Sequence, residues 1–270
     1  RAGFPLTILT RLDEYPDLQA QAAGVAAREL QHEPGSTFWY SDAGADVMGA
    51  LVEAAAGEEL SAFVSRRLLA PLGMRDSFFA LPPEDPRWSR VASIYAALPS
   101  GDWLRFWEPE DASMYPFAWG SQSLYGTPAD YCRFLAMWAD GGLAADGTRV
   151  LSERAVASQT EAVSSMSVLG SPMAMPTGFP GMQVWYGRMA VLYRELDAAP
   201  GGPSPILSHS GSDGTMAWIW PEHDLIAAVF TQSRGSSGML RLEAALHRLF
   251  FDPEVNAGAP TEWATLFGTY

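Results

Sequence analysis

Residues 34–44, which read PGSTFWYSDAG, decide how the surrounding chain folds. The leading Pro-Gly pair breaks the preceding segment. Ser41 or Asp42 can then cap a helix, because a short side-chain oxygen accepts a hydrogen bond from a free N–H of the first turn. Beyond them, apolar residues recur every three or four positions until Gly57. The sequence therefore predicts a helix that begins directly after Tyr40 and ends at Gly57.

Helical patterns also flank this stretch. Residues 17–31 are alanine-rich, and residues 62–69 continue as helix until PLGM at 71–74 breaks the pattern. Thr127 has the position of an N-cap, with an acidic residue three positions later, and the helix that follows is predicted to end at the Gly-Gly pair 141–142. Residues 82–126 are rich in Pro, Gly and aromatic residues without a period, which predicts long loops over a cleft.

The second half of the chain has the character of strands. Residues 183–193, 206–210, 215–220 and 225–231 are rich in β-branched and aromatic residues and are separated by turn signals, whereas residues 164–180 look irregular. The pattern predicts an antiparallel meander covered by a helix over residues 239–250.

Composition excludes several function classes. The 270 residues carry a formal charge of -14, which repels nucleic-acid phosphates and anionic lipids. No apolar run is long enough to cross a membrane. The single cysteine, Cys132, excludes an internal disulfide, and its helical position indicates packing instead of nucleophilic chemistry.

Two short segments carry polar groups suited to chemistry. Tyr40 lies at a loop-to-helix junction, where its phenol is a candidate general base if neighbouring cations lower its pKa. Residues 208–214, SHSGSDG, follow a predicted strand, and an edge strand there would offer free N–H groups to a substrate or an oxyanion. The simpler alternatives are an ordinary helix start and a hairpin turn with a solvent-facing histidine.

Considered together, these segments resemble one enzyme family. Tyr40-Ser41-Asp42 opening a helix, PLGM at 71–74, and His209-Ser210-Gly211 before WIWP at 218–221 are similar to the β-lactamase-related, penicillin-recognising serine hydrolases. That family includes class C β-lactamases, D-alanyl-D-alanine carboxypeptidases, D-aminopeptidases and family VIII esterases. The resemblance runs from about residue 35 to about residue 250 and implies an α+β fold, with an antiparallel sheet flanked by helices and a helical subdomain.

The resemblance also implies roles for individual residues. In the family, Ser-x-x-Lys supplies the nucleophile and its activator, Tyr-x-Asn supplies a proton-relaying tyrosine, and Lys/His-Thr/Ser-Gly lines the opposite wall. The matching positions here would be catalytic at Tyr40, Asp42 and Ser212, the last through its backbone N–H, and substrate-binding at His209, Ser210 and Gly211. The family mechanism needs no metal and no organic cofactor, and it acts on a small-molecule or peptide substrate.

Three departures from the family pattern matter. Asp42 stands where asparagine is usual, and an ionised carboxylate cannot donate to a substrate carbonyl. His209 replaces a lysine, which weakens the fixed positive charge. Together these favour esters or peptides over penicillins. The third departure is larger, because all 17 basic residues are arginines and no Ser-x-x-Lys occurs. We expect that motif in a missing N-terminal segment.

The expected organisation is an N-terminal helical segment (1–35), a helical subdomain (36–160), a sheet region with a C-terminal helix (161–250), and a linker that begins a possible β-domain (251–270). The expected function is acyl transfer through an acyl-serine. An inactive family member that binds or scaffolds is the alternative. An α/β-hydrolase lacks its Gly-x-Ser-x-Gly pentad here, and a zinc hydrolase lacks clustered histidines. The resemblance implies a periplasmic or secreted protein, a cytoplasmic one stays open, and the sequence leaves the oligomeric state undecided.

Overall fold

The computed structural model describes residues 2–6, 14–109, 114–166, 175–198, 204–234 and 238–252. Within these ranges the helices are α1 (Leu18–Ala26), α2 (Asp42–Ala56), α3 (Leu60–Val64), α4 (Pro128–Ala139), α5 (Glu153–Gln159) and α6 (Met239–Phe251). A π-helical turn, Ser65–Leu69, continues α3, and short 3-10 helices occupy Pro86–Arg90 and Pro221–His223. The strands are β1 (Ile94–Ala97), β2 (Trp103–Trp107), β3 (Ser164–Ser165), β4 (Met182–Tyr186), β5 (Val191–Glu195), β6 (Ile206–Ser210), β7 (Thr215–Trp220), β8 (Leu225–Phe230) and β9 (Ser233–Arg234).

The main sheet is an antiparallel meander. Its six strands lie in the order β3-β4-β5-β6-β7-β8, so each strand pairs with its neighbour along the chain. This arrangement confirms the predicted α+β fold. The prediction of one strand over residues 183–193 was wrong, because the chain turns back after Tyr186 and pairs that residue with Val191. A run of β-formers does not reveal such a turn, since both strands have the same composition.

A small second sheet lies where the sequence predicted only loops. Strand β1 pairs antiparallel with β2 and parallel with β9, so the prediction for residues 82–126 was wrong over these two strands. Strand β2 lacks polar–apolar alternation, and its first four residues are exposed. Its sequence therefore carries no signal of a half-buried strand. The second partner of β1 also follows more than a hundred residues later in the chain.

The helix boundaries follow local capping chemistry. The predicted helix after Tyr40 is confirmed, with the Ser41 side chain accepting a hydrogen bond from the Gly44 N–H and with Gly57 ending the helix in the left-handed conformation. Thr127 likewise caps α4 by accepting from the Asp130 N–H. Helix α1 ends at Ala26, five residues before the predicted end, so alanine content alone overestimated its length.

Two apolar layers cover the main sheet. On one face, Val184, Tyr193 and Trp218 are fully buried beneath residues of α6. On the other face, Leu192 and Leu207 pack against α4, whose Leu135 is buried in the same cluster. Each large apolar side chain that is fully buried contributes about 1.5–3 kcal/mol of transfer free energy. The sheet that carries residues 206–214 is therefore held rigidly from both sides.

A fully buried carboxyl group joins α6 to this sheet. Glu243 is 0% exposed, and one of its oxygens accepts from the Tyr193 O–H and from Trp218 Nε1 at 3.3 Å. The other oxygen accepts from the Thr177 O–H at 3.1 Å and from the Gly178 N–H at 2.7 Å. Four donors from two strands and a loop thus converge on one side chain of α6.

We expect Glu243→Ala to lower the free energy of unfolding by roughly 3 kcal/mol or more, because buried donors lose their acceptor and a cavity forms. The exposed Glu222→Ala is the control and should change stability by about 0.5 kcal/mol or less. Urea unfolding followed by tryptophan fluorescence measures both. Equal stability of the two variants would show that the buried carboxyl group does not hold α6 on the sheet.

Candidate active site

One cavity of about 1060 Å³ separates the start of α2 from the end of β6. Tyr40 and Asp42, from the start of α2, and residues of the β6–β7 turn all line it. The structure places all the residues singled out from the sequence on this cavity: Tyr40, Asp42, His209, Ser210, Gly211 and Ser212. Their catalytic and binding roles stay predictions.

The cap of α2 sets the position of Tyr40 and Asp42. Ser41 Oγ accepts from the Gly44 N–H at 2.8 Å and donates to the Pro5 carbonyl at 2.5 Å. The cap residue has an extended backbone, while Asp42 already lies in the helix. The side chains before and after Ser41 are thereby held beside the cavity.

The phenol of Tyr40 is neutral at ordinary pH. Burial is the main cause that raises its pKa to about 12, and the negative charge of Asp42 adds to the shift. Among the described residues no cation lowers this pKa, so the hypothesis of neighbouring cations is not supported. The structure shows the opposite electrostatic environment, in which a phenolate is disfavoured.

Acidic residues line the first turns of α2. Burial raises the pKa of Asp42, which lies at the cavity. One helical turn later Asp46 is buried and accepts from Gln21 Nε2 at 2.6 Å and from the Ser121 N–H at 2.9 Å. Asp46 thus ties α1 and a cavity-lining loop to α2. Sequence reasoning missed this role, although the spacing of four residues after Asp42 places both carboxyl groups on one face of the helix.

Strand β6 lies inside the sheet and is not an edge strand. It pairs with β7 along its length, but its register with β5 ends at Ser208. The prediction of an edge strand was therefore wrong, because β5 and β7 pair with β6 on its two sides. His209 and Ser210 extend beyond that register, beside the turn that joins β4 to β5.

The imidazole of His209 has two hydrogen-bond partners. Its Nδ1 lies 2.9 Å from the Ser210 carbonyl oxygen, and its Nε2 lies 3.3 Å from Tyr186 Oη. Tyr40 packs its ring 6.0 Å from that of Tyr186 and 6.4 Å from that of His209. Burial lowers the pKa of His209 and raises the pKa of Tyr186. Sequence reasoning missed Tyr186, since it lay within one long predicted strand.

The turn after β6 presents Ser212 at an exposed tip. The Gly211 N–H donates to the Thr215 carbonyl at 2.7 Å, which closes the turn. Gly214 has a φ of 88°, and a Cβ there would lie 2.2 Å from Thr231 Oγ1, so only glycine fits. Asp213 pairs with Arg234 Nε at 2.6 Å, which links the turn to β9.

Aromatic rings form another wall of the cavity. Phe78 and Tyr125 stack with centroids 5.3 Å apart, and Trp88 packs edge-on against both. Trp107 lies 6.1 Å from Tyr125 and also lines the cavity. This wall suits a flat or apolar substrate group.

The described ranges contain no group of three His, Cys, Asp or Glu side chains that could hold a metal ion. Nor does any helix within them have the length and apolar character of a membrane span. Burial raises the pKa of Cys132, so its thiol has no thiolate character.

Comparison with known proteins identifies relatives over most of this chain. The sequence matches the Beta-lactamase family over residues 2–250. It is 30% identical over 203 residues to Protein Rv1367c of Mycobacterium tuberculosis, covering 73% of this chain and 46% of that protein. It is 30% identical over 205 residues to Penicillin-binding protein 4 of Amycolatopsis lactamdurans, covering 73% and 48%. Esterase EstB of Burkholderia gladioli is 34% identical over 137 residues, 44% and 33% of the two chains.

Solved structures share the fold at lower identity. The penicillin-binding protein from Bacillus halodurans superposes with a TM-score of 0.64 and 16% identity, covering 89% of this chain and 65% of that one. Simvastatin synthase LovD from Aspergillus terreus superposes with a TM-score of 0.67 and 18% identity, covering 93% and 67%. The chain spans about half the length of the first curated relatives that it matches.

We expect Asp42→Asn to lower the pKa of Tyr40 from about 12, because a carboxylate beside a phenol disfavours the phenolate. ¹³Cζ-tyrosine NMR across alkaline pH measures this, with Tyr40→Phe identifying the signal. The exposed Asp102→Asn is the control. An unchanged Tyr40 titration in Asp42→Asn would contradict the electrostatic coupling.

Proposed function

The chain belongs to the β-lactamase family, and we propose that its cavity residues form part of a serine-hydrolase site for an ester, a D-amino-acid peptide or a related amide. This proposal is supported by the placement of Tyr40, Asp42 and residues 209–212 on one cavity, with the Tyr40 ring 6.4 Å from that of His209. Reaction would proceed through an acyl-serine intermediate.

The nucleophilic serine and its lysine belong, in this proposal, to a Ser-x-x-Lys motif outside these 270 residues. The sequence has 17 basic residues, none of them lysine, so the motif cannot lie within it. The matched region covers only 46% and 48% of the first two relatives, which is consistent with additional sequence in the functional protein.

Tyr40 acts in this proposal as a proton relay and not as a standing phenolate. A lysine ammonium about 4 Å away contributes about 4 kcal/mol at an effective dielectric of 20, or about three pKa units. Starting from a pKa of about 12, the phenol stays protonated at neutral pH. For serine to attack the acyl carbon, the lysine would have to be a neutral amine, so that the serine proton goes to Tyr40 while the phenolic proton goes to that amine. Asp42 would then hold the resulting ammonium by a charge-assisted hydrogen bond until it returns a proton through Tyr40 to the leaving group.

Residues 209–212 would bind the acyl group of the substrate. The N–H of Ser212 lies at the exposed tip of the turn, beside the cavity, and is our candidate donor to the developing oxyanion. His209 and Ser210 would align the substrate along the part of β6 that extends beyond β5. When ionised, Asp42 cannot donate to a substrate carbonyl as the usual asparagine would, and we take this to favour esters or peptides over penicillins.

We expect the full-length protein to contain a Ser-x-x-Lys motif outside these residues and to hydrolyse p-nitrophenyl acetate. Tyr40→Phe should slow turnover by roughly 10²-fold, the usual effect of losing a group that transfers protons. The matched control is Tyr95→Phe, a half-exposed tyrosine on β1 whose hydroxyl does not line the cavity.

Equal rates for Tyr40→Phe and wild type would remove Tyr40 from the mechanism. A substituted Ser-x-x-Lys motif together with no ester turnover would instead favour the alternative, a family member that binds or scaffolds without catalysis.

A further inference from the structure

The two ring nitrogens of His209 face partners of different kinds. The Ser210 carbonyl can only accept a hydrogen bond, so the contact at 2.9 Å requires a hydrogen on Nδ1. Tyr186 Oη, 3.3 Å from Nε2, carries a hydrogen that it can donate to a bare nitrogen. The pair of contacts therefore selects the tautomer in which Nδ1 carries the hydrogen and Nε2 accepts.

The surroundings oppose a second proton on this ring. His209 is partly buried, and the aromatic rings of Tyr40 and Tyr186 pack against it. The titratable groups that face it are these two phenols, both with raised pKa values, and Asp42 at the start of α2. Asp213, further along the same turn, already pairs with Arg234.

The two arginine side chains that line the cavity, Arg87 and Arg90, already form ion pairs. Arg87 forms two hydrogen bonds with Asp85, at 3.0 and 2.8 Å, and Arg90 pairs with Asp76 at 2.7 Å. Across the ranges that the structure describes, Asp42 has no ion-pair partner. The described residues thus offer no unpaired cation to a substrate carboxylate, and a lysine held by Asp42 in the proposed enzyme would be a paired cation as well.

We infer that Tyr186 is a positioning residue that holds His209 as a single neutral tautomer, and that the site consequently selects uncharged substrates over those that carry a carboxylate. The selectivity half of this inference rests on the proposed hydrolase function. The positioning half does not, because it concerns only hydrogen bonds within this chain.

The positioning half is tested on the 270-residue protein by ¹⁵N NMR of its histidine rings. At pH about 6.5, where a free histidine is half protonated, His209 should show one protonated and one bare nitrogen. Tyr186→Phe should shift the Nε2 signal and mix the two tautomers, whereas Tyr95→Phe should leave both signals unchanged. His209→Gln identifies the resonances.

Two protonated nitrogens on wild-type His209 at that pH, or tautomer averaging in the wild type, would overturn the inference. So would a Tyr186→Phe spectrum identical to the wild type. The wild-type spectrum decides the matter even if the variant folds poorly.

The selectivity half uses two acetyl esters of equal size in the full-length enzyme, those of 4-hydroxybenzamide and 4-hydroxybenzoate. We expect kcat/KM for the uncharged ester to exceed that for the carboxylate by at least about tenfold, the effect of about 1.4 kcal/mol of unfavourable charge interaction. His209→Lys supplies a cation and should remove this preference by lowering KM for the carboxylate ester. Tyr186→Phe should reduce the ratio of kcat/KM for the uncharged ester to kcat/KM for the carboxylate ester.

Equal turnover of both esters by the wild type, or an unchanged preference in His209→Lys, would refute the selectivity. If neither ester is hydrolysed, the proposed function fails, and the positioning of His209 is decided by the NMR result alone.

Discussion

The fold depends on one buried carboxyl group. Glu243 gathers donors from β5, β7 and the segment at residues 177–178; the donors Tyr193 and Trp218 are buried in the core, and Thr177 and Gly178 are partly buried. Burying a carboxyl group is costly unless hydrogen bonds compensate, so the interaction forms only when α6, the sheet and that segment are all in place. Apolar packing of α6 would tolerate several rotations of the helix. The carboxyl group selects one of them, because Glu243 must reach all four donors at once.

The electrostatics of the site depend on three aromatic rings that pack against one another. The phenols of Tyr40 and Tyr186 and the imidazole of His209 are packed ring against ring, which removes water from all three. Desolvation disfavours every charged form, so it raises the two phenol pKa values and lowers that of the imidazole. A cluster of neutral groups results, and Asp42 is the charged group beside it. A cation introduced there would meet a carboxylate, a phenol and no competing positive charge from these residues.

Local chemistry made part of this arrangement predictable. The Ser41 cap, the Gly57 stop and the Thr127 cap depend on residues within four positions, and all three follow from the sequence. The meander was predictable because its strands pair in chain order. The β1–β9 pairing and the Tyr186–His209 contact were not, since they join residues distant in the chain whose local patterns carry no sign of the partner. Asp46 illustrates the intermediate case, in which the spacing was visible but the burial was not.

The use of arginine as the sole basic residue also shapes the cleft. A guanidinium keeps its charge under all ordinary conditions and binds a carboxylate through two parallel hydrogen bonds, as Arg87 does with Asp85. Such pairs place fixed charges at the rim without exposing a free cation to a ligand. Lysine chemistry requires an ammonium that can lose its proton when its environment changes, and no residue of this sequence offers that property. In the proposed mechanism these residues would therefore bind and orient the substrate, and any group whose charge must change during turnover would enter a cleft that already contains neutral phenols, an imidazole and the carboxyl group of Asp42.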